Sequence, residues 1–164
     1  YDHWTGTKIT TVEQARHSVN NIDLNKLKLD PSELGAVEMG TGEKRVQVFL
    51  DPYCKPCLEV LNEAKALTGQ YTFELLFVPS GNHERSNNRV RELHCASDKS
   101  VVVDALLNQE SIKQASSCNF EPLMRRMYAA QLLPVDAVPF IVSPSGQIAR
   151  NKPESLETWL NQER

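Results

Sequence analysis

The hydrophobic period of the chain changes between Val46 and Leu61. Val46, Val48, Phe49 and Leu50 make an apolar, β-prone run that suits a buried central strand, and Asp51-Pro52 stops it because proline cannot donate to a ladder. From Leu58 the spacing turns helical, with Leu58, Leu61, Ala64 and Leu67 on one face and Gly69-Gln70 closing the helix. Upstream, Thr10-Thr11 followed by Val12, Ala15, Val19 and Ile22, with Glu13 or Gln14 in the first turn, predicts a helix over 11–21 that ends at Asn20-Asn21. Leu24, Leu27 and Leu29 then lead to a turn at Asp30-Pro31, and Gly35, Gly40 and Gly42 predict a loop over 35–45.

Downstream, Tyr71 to Val78 is strongly β-prone, and Pro79 to Asn82 reads as a turn. A polar helix-like region runs from Glu84 to about Leu107 with a break around Ser97-Asp98. A further helix covers about 120–132, with Met124, Met127 and Tyr128 expected on its core face. Residues 137–142 return to strand, 143–146 turn, 147–149 pair back, and a helix over 154–163 carries Leu156, Trp159 and Leu160. The order β, α, β, helical insert, β, β, α is that of an α/β protein with a split sheet. The expected division is an N-terminal arm over 1–44, then a compact domain over 45–164 whose helical insert spans about 82–133.

With 164 residues the chain is long enough for one such domain and its arm. A net charge of −3 without a basic stripe argues against nucleic-acid binding, and Arg125-Arg126 is expected as solvated helix surface. No apolar run reaches the 18 or more residues that a membrane span needs. The first residue is Tyr1, and the reading is of a processed or trimmed chain.

Candidate chemistry sits where the period switches. Cys54-Lys55-Pro56-Cys57 falls at the first turn of a helix, where unpaired N–H groups and the positive dipole end favour a thiolate. In such settings a cysteine pKa drops from about 8.5 into a range of roughly 3.5 to 7.5, so Cys54 is the candidate nucleophile and Cys57, one turn further in, the resolving thiol. Lys55 adds a cation, and Pro56 is tolerated in a first turn. The competing readings are half of a metal site or an inert disulfide. Zinc would want a second pair at short spacing, and Cys95 and Cys118 lie 23 apart. Those two are either buried thiols or a bonded pair, which would stabilise by roughly 3 kcal/mol. No metal and no cofactor is expected. Asp51 reads as a turn-former, and Glu43, Glu59 and Glu63 as solvated. His83 and His94 make a Cys-His protease conceivable, but its cysteine gains nothing from a second one three residues on. His3 and His17 carry no signal. Val138-Pro139 marks either an edge device or a cis bond.

Taken together, CKPC after VFLDPY, Val-Pro opening the third strand region, Cys95 and Cys118 inside a helical insert, and SPSGQIAR followed by PESLETWLNQ resemble the catalytic domain of the DsbC/DsbG-type periplasmic disulfide isomerases, within the thioredoxin fold. HCASDKSVVVDALLNQESIKQASSC is similar to that family's second-disulfide segment, and the resemblance covers about residues 45–164. It implies a thioredoxin-like fold with a helical insertion between βαβ and ββα halves. It also implies Cys54 as attacking thiol, Cys57 as resolving thiol, Pro139 as a cis-proline facing them, and Cys95 with Cys118 as a structural disulfide. Lys55, Pro56 and Val138 become modulators of the site. Val138 stands where isomerases of this kind often have Thr and DsbA-type oxidases often have Val, while Pro56 resembles thioredoxin and the reductants. Val48 stands where thioredoxin has a buried acid.

The resemblance further implies unfolded or misdisulfided polypeptides as substrates, a membrane redox partner of the DsbD or DsbB kind, and a periplasmic location. The helix over 11–21 would be a linker-type helix, and a homodimer would form through a missing or shortened N-terminal region. The expected activity is disulfide isomerase or reductase. The alternatives are a monomeric DsbA-like thiol oxidase and a chaperone-like binding module.

Overall fold

The structure, a computed structural model, describes residues 1–2, 6–81, 83–133 and 135–162. His3, Asn82 in the expected turn and Glu163 at the end of the last expected helix lie outside these. In chain order the elements are α1 (Val12–Asn20), β1 (Val37–Met39), β2 (Lys44–Leu50), α2 (Lys55–Lys65), β3 (Tyr71–Phe77), α3 (Glu84–His94), α4 (Val102–Leu107), α5 (Glu121–Leu132), β4 (Phe140–Val142), β5 (Ile148–Ala149) and α6 (Leu156–Asn161).

The strands form one sheet in the order β1-β3-β2-β4-β5. β2 and β3 run parallel with Val48 opposite Leu75, and the other neighbours are antiparallel. Side chains alternate across a strand, so Val46, Val48 and Leu50 with Phe73, Leu75 and Phe77 fill one face, under α2 and α6. Phe49, Leu76, Phe140 and Val142 fill the other, with Ala129 and Leu133. Layers on both faces explain why β3 is buried along its whole length rather than at alternate positions. The polar members of the second face are paired: Glu74 accepts from Arg45 at 2.6 Å and from Gln47 at 2.6 Å.

Several expectations meet a different packing. Residues 37–39, expected as loop, form edge strand β1 against β3, because Val37 finds a buried place beside Leu75. Ile22, Leu24 and Leu34 are also buried in the second face, so sheet packing reaches back past Lys44. Gly146, at φ +92°, takes part in this docking. Its carbonyl accepts from Ile22 N at 2.7 Å, and a side chain there would strike the Ile22 carbonyl. α1 forms as expected with Thr11 and Gln14 in a capping box, yet it buries nothing: Val12 is 72% and Val19 60% exposed. In α2 the buried stripe is Cys57, Val60, Leu61 and Ala64, with Leu58 only half-buried. The insert is not helical throughout, because residues 108–120 run as loop, tied back by Ala115 N to Cys95 O at 2.9 Å. β4 starts at Phe140 rather than 137, since Pro139 has no N–H for the ladder and Phe140 is the first residue to pair, with Phe49.

Two charged groups expected in solvent are structural. Glu63 on α2 pairs with Lys152 at 2.7 Å and accepts from Leu156 N at 2.8 Å, clamping α6 onto α2. Arg126 on α5 is 1% exposed, whereas its neighbour Arg125 is the solvated one. Met124 and Tyr128, expected toward the core, face solvent, because Leu123, Arg126 and Ala129 take the inner face of α5.

Burial and pairing also set a pH response. Burial pushes His94 below its ordinary range, its contact with the Asn119 carbonyl works the other way, and the charges of Arg126 and Lys99 push it down further. For Glu63 and Glu92 burial acts upward but is outweighed by the hydrogen bonds and charges of Lys152 and Arg89, so both lie below the usual carboxylate range. A depressed histidine contributes stability that is complete above its unfolded value of about 6.5 and is lost as pH falls; depressed carboxylates do the same below about 4.3. The urea midpoint is therefore expected to drop between about pH 7.5 and about pH 5, before the carboxylates titrate. His94→Gln removes that first drop. A wild-type midpoint constant over this interval contradicts the assignment.

Candidate active site

β2 delivers the chain to the site, and Asp51 turns it. Asp51 is 1% exposed, and its carboxylate accepts from Tyr53 N at 2.7 Å, Ser80 N at 2.6 Å and Ser80 Oγ at 3.0 Å. It is the turn-former expected, and it also ties the loop after β2 to the loop after β3, a partner that no local pattern reveals. Asp51→Ala would strand two backbone donors and a hydroxyl, an expected loss of about 2 to 3 kcal/mol in urea unfolding, with Asp51→Asn in between. A loss within experimental error for the alanine variant would show that the carboxylate holds nothing.

Cys54 is the N-cap of α2, with extended backbone (φ −78°, ψ 114°). Its sulfur accepts from Cys57 N at 3.3 Å, so it occupies the place of the capping oxygen at a helix start. Pro56 lies in the first turn, which contains no acidic residue. Cys54 is partly exposed and Cys57 fully buried, and the two sulfurs are bonded, with the Cα atoms 5.2 Å apart. Lys55 and Pro56 are exposed.

The loop before β4 closes the other side. The Val138–Pro139 peptide is cis, Pro139 is buried, and the Val138 carbonyl oxygen lies 3.6 Å from Cys54 Sγ. That short approach joins residues 84 positions apart. Tyr53, beside the pair, is exposed and carries the Arg85 guanidinium 4.0 Å from its ring centroid. Tyr53 and Arg85 were not among the expected site residues; an aromatic next to CxxC was visible in the sequence, whereas its cation, on a separate helix, was not.

Cys95 and Cys118 form the second bonded pair, away from the first, with Cα atoms 5.4 Å apart. It staples the end of α3 to the approach of α5. Val48, fully buried, lies in the apolar face and brings no acid beneath the thiols. His83 is exposed, and His94 donates toward the Asn119 carbonyl at 2.7 Å beside the second pair. Among the described residues no three His, Cys, Asp or Glu side chains converge as a metal site.

Several solved structures share this architecture. A disulfide interchange protein from Neisseria gonorrhoeae superposes with a TM-score of 0.66 at 19% identity, over 79% of this chain and 96% of its own. The thiol-disulfide exchange protein alpha-DsbA2 from Wolbachia pipientis gives 0.68 at 13% identity, over 96% and 100%. The catalytic domain of Proteus mirabilis ScsC gives 0.60 at 13% identity, over 91% and 94%. The chain has the thioredoxin-like fold of Dsb-type proteins. No protein-family model and no curated protein sequence matches it. At these identities the likeness is one of fold, and the chemistry rests on the residues at the start of α2.

Proposed function

We propose that the protein is a thiol-disulfide oxidoreductase of polypeptide substrates, working in the periplasm. The observation that carries this reading is the Cys54 sulfur, partly exposed, capped by the Cys57 N–H at a helix start without acids and faced by the Val138 carbonyl. In the reduced protein that N–H and the helix dipole stabilise a Cys54 thiolate. The thiolate attacks one sulfur of a substrate disulfide; the substrate S–S bond breaks, its other sulfur leaves as a thiolate that takes a proton, and a mixed disulfide forms. Cys57 then loses its proton and attacks Cys54 Sγ, releasing the second substrate thiol, so two electrons pass to the substrate and the Cys54–Cys57 bond forms. If a substrate thiol resolves the intermediate instead, the substrate is isomerised and no net electrons move.

An extended substrate strand would lie beside Val138-Pro139, where the Val138 carbonyl faces Cys54. A membrane redox partner of the DsbD or DsbB kind would restore the working oxidation state. Within this reading the DsbC-like isomerase or reductase is the first candidate. A DsbA-like oxidase is the second, and Val138 before the cis-proline favours it.

The reduction potential of the Cys54/Cys57 couple separates these, with a value near −120 mV expected for an oxidase and near −270 mV for a reductant. Refolding of scrambled ribonuclease with the reduced protein tests isomerisation, and the solution mass shows whether a dimer accompanies it. A couple that neither a glutathione nor a dithiothreitol buffer can cycle contradicts the whole proposal. The exposed apolar side chains Phe120, Met124, Tyr128 and Leu132, four residues apart along α5, favour a second role in holding unfolded chains. Suppression of aggregation that survives loss of both active-site cysteines would support it.

A further inference from the structure

Arg126 on the inner face of α5, His94 at the end of α3 and Lys99 just beyond it come together near the second cysteine pair, two cations and a histidine. Arg126 is 1% exposed. Its Nη1 donates to the Gly35 carbonyl at 3.1 Å, while Nε and Nη2 are shut from solvent and have no partner among the described residues. His94 reaches the same turn: a side-chain carbon on Gly35 would stand 3.4 Å from its Nδ1, which is likewise buried and unpartnered. Lys99 wraps from the other side and donates to the carbonyls of His94 and Leu93. The ring centroid of Phe120 lies 6.0 Å from that of His94, and Pro122 packs against the turn at Gly35.

Among the described residues no carboxylate pairs with Arg126 or Lys99. The electrostatic influences on His94 and Lys99 from charged groups are all from cations, and Arg126 feels only its burial, which brings it down to about 10 and leaves it charged at neutral pH. Glu33 and Glu121 are exposed and pair with Arg125 instead. A buried guanidinium with two idle donors and no counter-charge is among the costliest arrangements in a protein interior; native structures give such donors a protein group, an ordered water or an ion, and of these only an anion also offsets the charge.

We infer that Arg126 holds a small anion of the halide class, chloride in ordinary buffers, enclosed between α3, α5 and the turn at Gly35. Its Nε–H and Nη2–H are the donors. His94 donates through Nε2 to Asn119, so in the neutral ring Nδ1 carries a lone pair, and the anion sits toward the guanidinium rather than the imidazole. Because these atoms are closed to solvent, the site takes a compact monatomic anion and excludes polyatomic organic anions such as gluconate. Cys95 follows His94 directly and Cys118 precedes Asn119, so the second bonded pair holds the walls of the site together.

The test is thermal unfolding of the whole oxidised protein at fixed pH and ionic strength, replacing sodium gluconate with sodium chloride. An anion bound only by the folded state raises the midpoint by about 3 to 5 °C for each tenfold rise in chloride above its Kd. Arg126→Met is expected to abolish that rise, and Arg125→Met, one residue away on the surface, to keep it. Crystals grown with bromide provide a measurement that needs no variant: an anomalous peak within hydrogen-bond reach of Arg126 Nε and Nη2 supports the site. A wild-type midpoint indifferent to chloride, a rise that persists unchanged in Arg126→Met, or bromide crystals without a peak there overturns it. Cysteine chemistry at α2 does not enter these readouts, so they stand or fall apart from the proposed activity.

Discussion

Replacing Cys54 with serine is expected to reduce insulin reduction to the rate of dithiothreitol alone, whereas replacing Cys57 leaves attack intact and stalls the reaction after it. The difference follows from the positions of the two sulfurs. Cys54 is the partly exposed one, at the helix N-cap and against the Val138 carbonyl, so it alone can meet a substrate disulfide. Cys57 is fully buried one turn inward and reaches only Cys54. A serine at 54 cannot form the mixed disulfide at all. A serine at 57 permits it and removes the intramolecular thiol that resolves it, so a covalent complex of about one substrate per chain accumulates and is visible on a non-reducing gel. Both variants should fold, because a hydroxyl at either position is no larger than the sulfur it replaces. Turnover retained by Cys54→Ser, or complexes trapped through Cys57 instead, would reverse the assigned roles.

The largest expected effect on stability lies at Phe49. This ring is fully buried on the second face of the sheet and meets Phe140 edge to face, with centroids 6.0 Å apart. Phe49 stands on β2, which leads into Cys54, and Phe140 is the first residue of β4 after Pro139, so the contact joins the two strands that carry the two sides of the site. Phe49→Ala is expected to cost about 3 to 5 kcal/mol, from lost apolar burial and the cavity left behind. That is a large part of the 5 to 15 kcal/mol typical of a domain, and the thermal midpoint should fall by about 10 °C or more. Phe49→Leu keeps most of the volume and should lose markedly less; if the alanine variant does not fold, the leucine variant still reports the direction. Equal midpoints for wild type and both variants would mean that this face carries little of the core.

The central strand, the change of period after Asp51 and the placing of CKPC at a helix start were all legible, because each depends on neighbours within a turn or a strand. Cys54 as helix cap follows directly from that local order. The Val138–Pro139 corner was legible as a special position, and its 3.6 Å approach to Cys54 was not, since 84 residues intervene. Tyr53 could have been read as a site residue from its place beside the motif. Its stacked Arg85 belongs to α3, and nothing in the spacing pairs them. Similarly, Asp51 looked like a turn residue and is one, but Ser80 is the partner that fastens the active-site loop to the rest of the sheet.

Helix faces were where the reading of α5 and α1 differed most from the packing. Met124, Met127 and Tyr128, the expected core face, compete with Leu123, Arg126 and Ala129 for the inner side of α5. Leu123, Arg126 and Ala129 take it, with Met127 half-buried at its edge, because the segment ending at Leu34 and Gly35 covers that side and accepts one guanidinium hydrogen bond there. α1 shows the reverse case: its caps and spacing suffice to form a helix, but nothing in the described chain packs on Val12 and Val19.

By itself, then, the order of residues determined the α/β plan, the buried strand and the cysteine pair at its end, because hydrophobic period, proline and helix caps act over a few residues. Only the tertiary structure decided which helix faces are inside, that Val37 joins the sheet, that Glu63 clamps α6 and that Arg126 is buried without a counter-charge among the described residues. Burial is a property of what covers a side chain, and the covering segments here come from distant parts of the sequence.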